Sequence, residues 1–471
     1  MKSILLLVLS FLLCVTLSYA QVGIGITTPR AFFNVLYGKT VLFGYDTTGT
    51  LSSQNIFYPK LIWYGSKGAF RAGGVSGGSE TFASWDKNNV GAYSFASGLD
   101  TRARGDYTTS MGRTSTANGN NSTAIGNGAQ ADGENSTAVG NGAWAMGNYS
   151  TALGDATQAS GEEATAMGLL TVASGNCALA AGNSTHAGGT NATAFGHGTR
   201  ADGYASTAMG SASSAEGAYS TAMGSNSQAS GDISTAMGYL TTASGRASTA
   251  MGDETRAIGD YTTAMGSFVS TDGKVGSFAM GDHDPSHSYR SSANNQMMMR
   301  FSGGYILYSS GATSQTAAIG LQIAPGGNAW TTISDSTRKE NFRSVDGAGF
   351  LQKIASMRLG SWNYKGQDAK QYRHYGPMAQ DFFTAFGHDA LGTIGEDKSI
   401  NQADFDGVNL IAIQALIKEV QQLKADNQQL RAELKASRQG GQSTQELAKK
   451  VARLEALLST QLDTTSASLK P

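Results

Sequence analysis

Few residues of this 471-residue sequence combine types and spacing that could carry out chemistry. Cleavage of a sugar chain needs a facing pair of carboxylates, and a metal ion needs clustered ligands. The acidic side chains of the central region are instead scattered over glycine-rich turns, where we interpret them as solvated loop charges: Asp132, Glu134, Asp202, Glu216 and Asp232. The histidines lack a helix-spaced pair of the kind that binds zinc: His186, His197, His283 and His287. We therefore expect neither a metal site nor a cofactor.

The segment 334–342, Ser-Asp-Ser-Thr-Arg-Lys-Glu-Asn-Phe, is different. It contains a serine, Ser334, and five positions later a lysine, Lys339. Serine, aspartate and threonine commonly cap the start of a helix, and a glutamate near the first turn is favourable there. Taken alone, the segment is therefore interpreted as a helix N-terminus.

The same segment resembles the opening of the intramolecular chaperone domain of phage tailspikes and endosialidases, an autoproteolytic serine peptidase family. The matching residues are Ser334-Asp335, Lys339, and Glu340-Asn341 followed by an apolar residue. Further matches follow in the family's order at 350–354, 362–365, 374–381 and 408–423. Arg338 departs from the pattern, because the family usually has an arginine three rather than four residues after the serine. The resemblance covers about 334–436.

This resemblance implies that Ser334 is a nucleophile, that Lys339 is its general base, and that the chain is cut between Ile333 and Ser334. A lysine in water has a pKa of about 10.4, so a lysine that acts as a base near neutral pH must be buried. Residues five apart on one helix face different sides. We therefore expect Ser334 on the chain entering a helix and Lys339 in the first turns of that helix. Folding would then trigger a cut that each chain makes once.

A long internal repeat precedes this segment and dominates the sequence. From Gly91 to Gly273 a glycine recurs every seven residues, and two alternating contexts give a true unit of fourteen. One half of the unit reads Ser-Thr-Ala-Met-Gly, as at 206–210, and the other ends in Ala-Asp-Gly, as at 201–203. Two short strands and two turns per unit predict one turn of a β-solenoid, with glycine supplying the tight turns.

Alternation along a strand puts the alanine two positions before each glycine and the bulky residue one position before it on opposite faces. We expect a narrow coil with only alanines inside and the bulky residues outside. The bulky positions are Met111, Ile125, Val139, Leu153, Met167, Phe195, Met209 and Met223, with Ala181 as an exception in the turn that also contains Cys177. Because so thin a coil cannot bury enough apolar surface alone, identical neighbours must cover the outer face in a threefold rod.

These repeats resemble the YadA-like head repeats of trimeric autotransporter adhesins over about 88–282. The resemblance implies a left-handed parallel β-roll in a homotrimer. The glycine spacing slips after Gly273, so we expect the roll to end near Asp282. Because every turn is alike, three rolls could slip in register, and a domain that trimerises first would prevent this.

The remaining sequence divides around these two regions. Residues 1–20 have the positive start, apolar stretch and small-residue cleavage site of a signal peptide. Removal of this segment leaves Cys177, interpreted as a buried small side chain or an idle thiol, as the one mature cysteine. The other predicted segments are a β-rich cap (21–87), the roll (88–282), a β-rich connector (283–333), the chaperone and peptidase domain (334–409), a trimeric coiled coil (410–436), and a linker with a short helix (437–471). The coiled coil is indicated by heptad positions at Ile413, Leu416, Val420, Leu423, Leu430 and Leu434.

The sequence thus predicts a mainly β, homotrimeric fibre with an α-rich C-terminal chaperone domain that ends in a coiled coil. Its net charge of −1 offers no basic face for nucleic acid, and the mature chain has no stretch able to span a membrane. We expect a protein secreted to, or exposed on, the outer surface of a Gram-negative-type bacterium for adhesion or display. The sequence does not identify its ligand, and self-cleavage is the one enzymatic step expected. Two alternatives are a trimer that keeps its C-terminal domain and a phage-type tailspike that binds polysaccharide.

Overall fold

The computed structural model describes residues 22–24, 33–35, 38–44, 58–76, 83–309, 320–332, 334–439 and 444–466. The chain forms two compact units, Met1–Gly303 and Gly304–Pro471. The predicted signal peptide and Ile333 lie outside the described residues. None of the described helices is both long and apolar enough to cross a membrane.

The first unit begins with a small β-structure that leads into the solenoid. Strands Val22–Ile24 and Phe33–Val35 form a parallel pair. Strands Thr40–Gly44, Tyr58–Tyr64 and Ala69–Val75 form an antiparallel meander, and two 3₁₀ turns, Ala83–Trp85 and Lys87–Asn89, follow. The last meander strand pairs in parallel with Phe95–Leu99, the first long strand of the solenoid. The meander is therefore the base on which the solenoid stacks.

The solenoid has about 13 turns over residues 95–281, and each ordinary turn has one long and one short strand. The long strands are Phe95–Leu99, Thr109–Arg113, Thr123–Asn127, Thr137–Val139, Thr151–Asp155, Thr165–Leu169, Leu179–Asn183, Thr193–His197, Thr207–Ser211, Thr221–Ser225, Thr235–Tyr239, Thr249–Asp253, Thr263–Ser267, Phe278–Gly281 and Met297–Arg300. The short strands are Arg102–Ala103, Thr116–Ala117, Gln130–Ala131, Trp144–Ala145, Gln158–Ala159, Val172–Ala173, His186–Ala187, Arg200–Ala201, Ser214–Ala215, Gln228–Ala229, Thr242–Ala243, Arg256–Ala257, Val269–Ser270 and Tyr289–Arg290. Equivalent residues stack in parallel, as Ala208 does on Ala222. The predicted fourteen-residue turn is confirmed.

The interior of the solenoid is built from small side chains. The alanines of both strand types, such as Ala208 and Ala201, are fully buried, as the sequence predicts. Serine and threonine columns share the interior, however, as Ser206 and Thr199 illustrate. The expectation of an alanine-only interior is therefore wrong. Some of these hydroxyls bond to carbonyl groups of the turns, as when Ser136 donates to the Gly133 carbonyl at 2.7 Å, whereas the buried hydroxyls of Ser206 and Thr199 have no hydrogen-bond partner among the described residues.

The two glycines of each unit have different roles, which corrects the expectation that both supply turns. Gly210 lies inside a long strand with φ +106°, where an added Cβ would lie 2.1 Å from the Gly224 carbonyl oxygen. Gly203 opens a turn, and its Cβ would meet the backbone of the next turn at 1.9 Å. The left-handed residue of each turn comes two positions after the glycine and is usually another residue type, such as Ala205 or Ala212. Close stacking of backbones therefore requires glycine here.

Parallel stacking continues beyond the predicted end of the roll. Phe278–Gly281 pairs with Met297–Arg300, and Val269–Ser270 pairs with Tyr289–Arg290. The last turn is longer than fourteen residues, which hides it from a search for regular glycine spacing. Arg300 holds it in place through ion pairs with Asp282 at 2.8 Å and Asp284 at 3.2 Å.

The second unit combines a small sheet with helices. Strands Tyr305–Tyr308, Gly320–Ile323 and Thr331–Thr332 form an antiparallel sheet, and Leu359–Trp362 pairs with His374–Pro377. The helices are α1 (Gly347–Ser356), α2 (Ala379–Phe386), α3 (Gln402–Gln439) and α4 (Thr444–Ser466). A cluster of aromatic rings joins α1, α2 and α3 through Phe350, Phe382, Phe386 and Phe405.

Helix α3 carries the predicted heptad side chains on a largely open face. Ile413, Leu416 and Leu423 are exposed in the single chain. Val420, Leu423 and Leu430 also line a groove of about 800 Å³ together with Leu454 and Leu457 of α4. An apolar stripe this open on a long helix is available to a partner helix.

Candidate functional site

Ser334 and Lys339 lie on either side of a single 3₁₀ turn, Ser336–Arg338. Asp335 caps this turn by accepting a hydrogen bond from the Thr337 amide at 2.9 Å. That hydrogen bond, with further contributions from the Thr337 side chain and the charge of Arg338, lowers the pKa of Asp335. The cap thus fixes a tight reversal between the serine and the lysine.

The reversal brings the two side chains into direct contact. Lys339 Nζ donates to Ser334 Oγ at 2.7 Å. An unprotonated lysine at this distance could accept the hydroxyl proton and leave a nucleophilic oxygen. Lys339 follows the 3₁₀ turn, and α1 begins only at Gly347, so its expected position in the first turns of an α-helix is wrong.

Both members of the pair are exposed in the single chain, as are all residues from 334 to 346. Phe342 is 96% exposed, although it is a large apolar side chain. Val345 of the same segment is also exposed, at 51%, so the segment leaves two large apolar side chains in water. The desolvated environment that a lysine base needs is therefore not supplied by this segment itself.

Comparison with family models matches both regions. The model described as YadA head domain repeat matches residues 103–129, 131–157, 159–185, 187–213, 201–227, 215–241 and 243–268. The model described as chaperone of endosialidase matches residues 334–389, and the match begins at Ser334. The chain carries YadA head repeats followed by a chaperone-of-endosialidase domain. A search of curated proteins found no match.

Both matches agree with the resemblances that the sequence indicates. YadA-type adhesins are homotrimers, and YadA-like heads indicate a cell-surface adhesin. Together, the YadA head repeats and the chaperone domain fit a trimeric adhesin or a tailspike-like fibre.

The acidic residues of the YadA repeats have local structural partners. Asp132 accepts hydrogen bonds from the Asn118 side chain at 2.6 Å and from the Trp144 indole at 2.7 Å. Asp232 accepts from the Ala218 amide of the previous turn at 2.9 Å, and Glu216 accepts from the Ser214 hydroxyl. The contacts of Asp132 and Asp232 connect successive turns, and that of Glu216 lies within one turn. These local contacts agree with the interpretation of the acidic residues as loop residues.

His186, His283, His287 and Asp202 each have nearby partners, and His197 is exposed. His186 Nε2 lies 3.4 Å from Asp202, which also pairs with Arg200. His283 contacts the Ser267 hydroxyl at 3.3 Å, and His287 contacts Ser286. Within the described part of the chain, no group of three or more histidine, cysteine, aspartate or glutamate side chains could hold a metal ion.

Cys177 lies in a turn of the YadA repeats, where it has the left-handed φ of 54°. Its thiol is exposed, so its interpretation as a buried side chain is wrong. The thiol donates to Glu163 Oε2 at 3.4 Å, and this hydrogen bond raises the pKa of Cys177. The raised pKa disfavours the reactive thiolate.

Proposed function

We propose that this protein is a secreted or surface-exposed homotrimeric fibre, used for adhesion or display, whose C-terminal domain assembles the trimer and then releases itself. The observation that carries the proposal is the 2.7 Å contact between Lys339 Nζ and Ser334 Oγ. It occurs at the first residue matched by the chaperone domain. The serine and the lysine are thus paired at the junction where a cut would separate the fibre from the chaperone.

The proposed reaction is a cleavage within one chain. Ser334 Oγ attacks the carbonyl carbon of Ile333, while Lys339 accepts the hydroxyl proton and passes it to the amide nitrogen of Ser334. The C–N bond breaks as the C–O bond forms, giving an ester between Ile333 and the Ser334 side chain. Water then hydrolyses the ester, which leaves a carboxylate on Ile333 and a free amino group on Ser334.

Assembly would control this reaction through burial. The pair is exposed to water in the single chain, and burial of any ammonium group disfavours its charged form. Neighbouring chains that pack against the exposed 334–346 segment would exclude this water. Cleavage would then follow trimerisation, so that a chain loses its chaperone only after it has been assembled.

Two apolar surfaces support the trimer. One is the outer column of the YadA repeats, where Met111, Met167 and Met209 are each more than a third exposed. The other is the heptad face of α3, with Ile413 and Leu416 about half exposed. A single chain would leave both in water, whereas threefold association would bury them.

A denaturing gel of the exported, purified protein tests the proposal. Wild type should give fragments 21–333 and 334–471, with Ser334 as the new N-terminus by mass spectrometry. Ser334→Ala and Lys339→Ala should each give one full-length band and still trimerise. The matched controls Ser336→Ala and Lys365→Ala, at exposed positions outside the pair, should be cut like wild type.

The same gel separates the proposal from its alternatives. A full-length wild-type band in a stable trimer would favour the fibre that keeps its C-terminal domain. Cutting of Ser334→Ala at the wild-type rate would show that Ser334 is not the nucleophile. Release of sugar fragments from a bacterial polysaccharide would favour a tailspike.

A further inference from the structure

The outer face of the long strands is uniform over its C-terminal half. The long strands that begin at Thr207, Thr221, Thr235, Thr249 and Thr263 all read Thr-Ala-Met-Gly. Methionine stacks on methionine in the outer column from Met209 to Met299. A shift of one such column by a whole turn again places methionine beside methionine. In this half, an aligned trimer and a trimer shifted by one turn therefore make nearly the same methionine contacts.

Two neighbouring turns interrupt the column. Ala181 stacks on Phe195, so a small side chain is followed by a large one where other turns have a side chain of medium size. Ala181 is 5% exposed, whereas Phe195 is 55% exposed. The Ala181 turn also has Leu179 at the outward position where the turns on either side have Thr165 and Thr193. In this turn the column that usually holds threonine has the larger side chain, Leu179, and the column that usually holds methionine has the smaller one, Ala181.

The face that carries these columns is large enough to bind a neighbour. With a spacing of about 4.8 Å per turn, the face is about 60 Å long, and two outward residues per strand make it about 10 Å wide. Its area of about 600 Å² approaches the roughly 800 Å² that each partner contributes to a stable interface. A second copy of the same roll repeats at the same spacing and matches the face turn for turn. We therefore take an identical chain as the occupant.

We propose that Ala181, Phe195 and Leu179 set the axial register of the three rolls. The proposal rests on the trimer of the proposed function. In register, three Phe195 side chains meet in one layer beside the layer of three Ala181 side chains, whose small volume leaves them room. A shift by one turn would set phenylalanine against methionine in one layer and leave space beside alanine in another. Overpacking and cavities each destabilise a packed interface.

This role would persist after the chaperone has left. A C-terminal domain can align the chains during assembly, but once released it cannot oppose slippage. The irregular turns belong to the fibre itself. In the sequence they precede the uniform methionine segment, which in turn precedes the C-terminal domain. They would therefore maintain the alignment in the mature rod.

The register can be measured by NMR of methionine methyl groups in the full-length trimer. In a threefold-symmetric, in-register trimer, the Met251 methyl gives one signal, which Met251→Leu identifies by its loss. We call Ala181→Met/Phe195→Met the uniform variant, because its outer column holds methionine at every turn from Met167 to Met299. We expect this variant to remain trimeric with two or more Met251 signals. The exchanged variant Ala181→Phe/Phe195→Ala keeps one small and one large layer, and we expect one signal.

The outcomes distinguish this inference from the proposal on which it rests. One Met251 signal in the uniform variant, or several in wild type or the exchanged variant, would overturn the register role. A monomeric wild type in light scattering would instead overturn the trimer. If the uniform variant does not fold, the single variant Phe195→Met provides the test. One Met251 signal in Phe195→Met would contradict the register role, and several signals would support it.

Discussion

Arg71 and Met298 occupy the two ends of one column of inward-facing side chains. Arg71 pairs with Ala96 at the start of the roll, and Met298 pairs with Ala279 at its end. Between them, the column holds only small residues such as Ala124. The strand of Arg71 pairs on its other side with the meander strand Tyr58–Tyr64 and not with another turn of the roll, and among the described residues no further turn stacks beyond Met297–Arg300. The two residues thus close the interior of the solenoid, one with a guanidinium group and the other with a thioether.

We expect Arg71→Ala to destabilise the start of the roll. The Arg71 side chain is fully buried and donates to the Ser94 carbonyl at 3.0 Å, the Ser94 hydroxyl at 2.7 Å and the Ala103 carbonyl at 2.9 Å. Burial lowers the pKa of Arg71 to about 10, partly offset by Tyr64, so the group stays charged at neutral pH. Loss of the donors should cost about 1–3 kcal/mol.

Thermal unfolding and amide exchange of the first turns would measure this loss. Arg104→Ala provides the control, because Arg104 is exposed one residue beyond Ala103. An equal effect of both substitutions would contradict the assignment of Arg71 as the closing residue.

We expect Gly210→Val to reduce the yield and thermal stability of the fibre. The left-handed φ of +106° alone should cost on the order of 1–3 kcal/mol, and the Cβ would collide with the Gly224 carbonyl oxygen. Differential scanning calorimetry provides the measurement. Gly273→Asn is the matched control, because Gly273 also has positive φ but has open space around it. An unchanged melting temperature in Gly210→Val would show that the turns can separate without cost.

We expect Leu423→Asp to block trimerisation, and self-cleavage with it. Three carboxylates buried in one layer of a coiled coil are costly, and the pair of Ser334 and Lys339 would stay exposed in the separated chains. Light scattering and the denaturing gel measure the two effects. Gln421→Asp, on the same helix at an exposed position outside the heptad core, should assemble and be cut. Cleavage in monomeric Leu423→Asp would separate the reaction from assembly.

Asp282 should make the end of the roll sensitive to acid. Hydrogen bonds from the Ser302 hydroxyl and amide, followed by the charge of Arg300, lower the pKa of Asp282. A carboxylate with a lowered folded pKa stabilises the protein above its unfolded pKa of about 3.9, and this contribution is lost as the pH falls through the folded value. Asp282→Asn should therefore weaken the last turn most at pH 7 and least in acid.

Amide exchange of residues 297–300 as a function of pH measures this effect, with amides of the central turns as the internal reference. A difference between Asp282→Asn and wild type that grows as the pH falls would contradict the assigned direction of the pKa shift.

The sequence predicted the repeating part of the fold because its information is local. A glycine every seven residues and an alanine two positions earlier define the strand faces without reference to distant residues, as Ala208 illustrates. The roles of Ser334 and Lys339 were instead implied by the resemblance of segment 334–342 to the chaperone family, because this segment taken alone predicts only the start of a helix.

Other features depended on contacts that no local pattern specifies. The sequence gives no sign that the Arg71 guanidinium reaches the Ala103 carbonyl, because 32 positions separate them. The last turn was missed because its loop departs from the glycine spacing, although Met298 still reaches the alanine column.

The sequence by itself determined the fourteen-residue period and the inward position of alanine, because the twofold alternation of a strand follows from the backbone. Only the tertiary structure decided that serine and threonine share the interior, that Cys177 is exposed, and that Lys339 reaches Ser334 around a 3₁₀ turn. Burial and side-chain contact depend on which turns stack on each other and where the chain reverses. Both depend on how residues from different parts of the chain pack together, so they cannot be predicted from the type of a single residue.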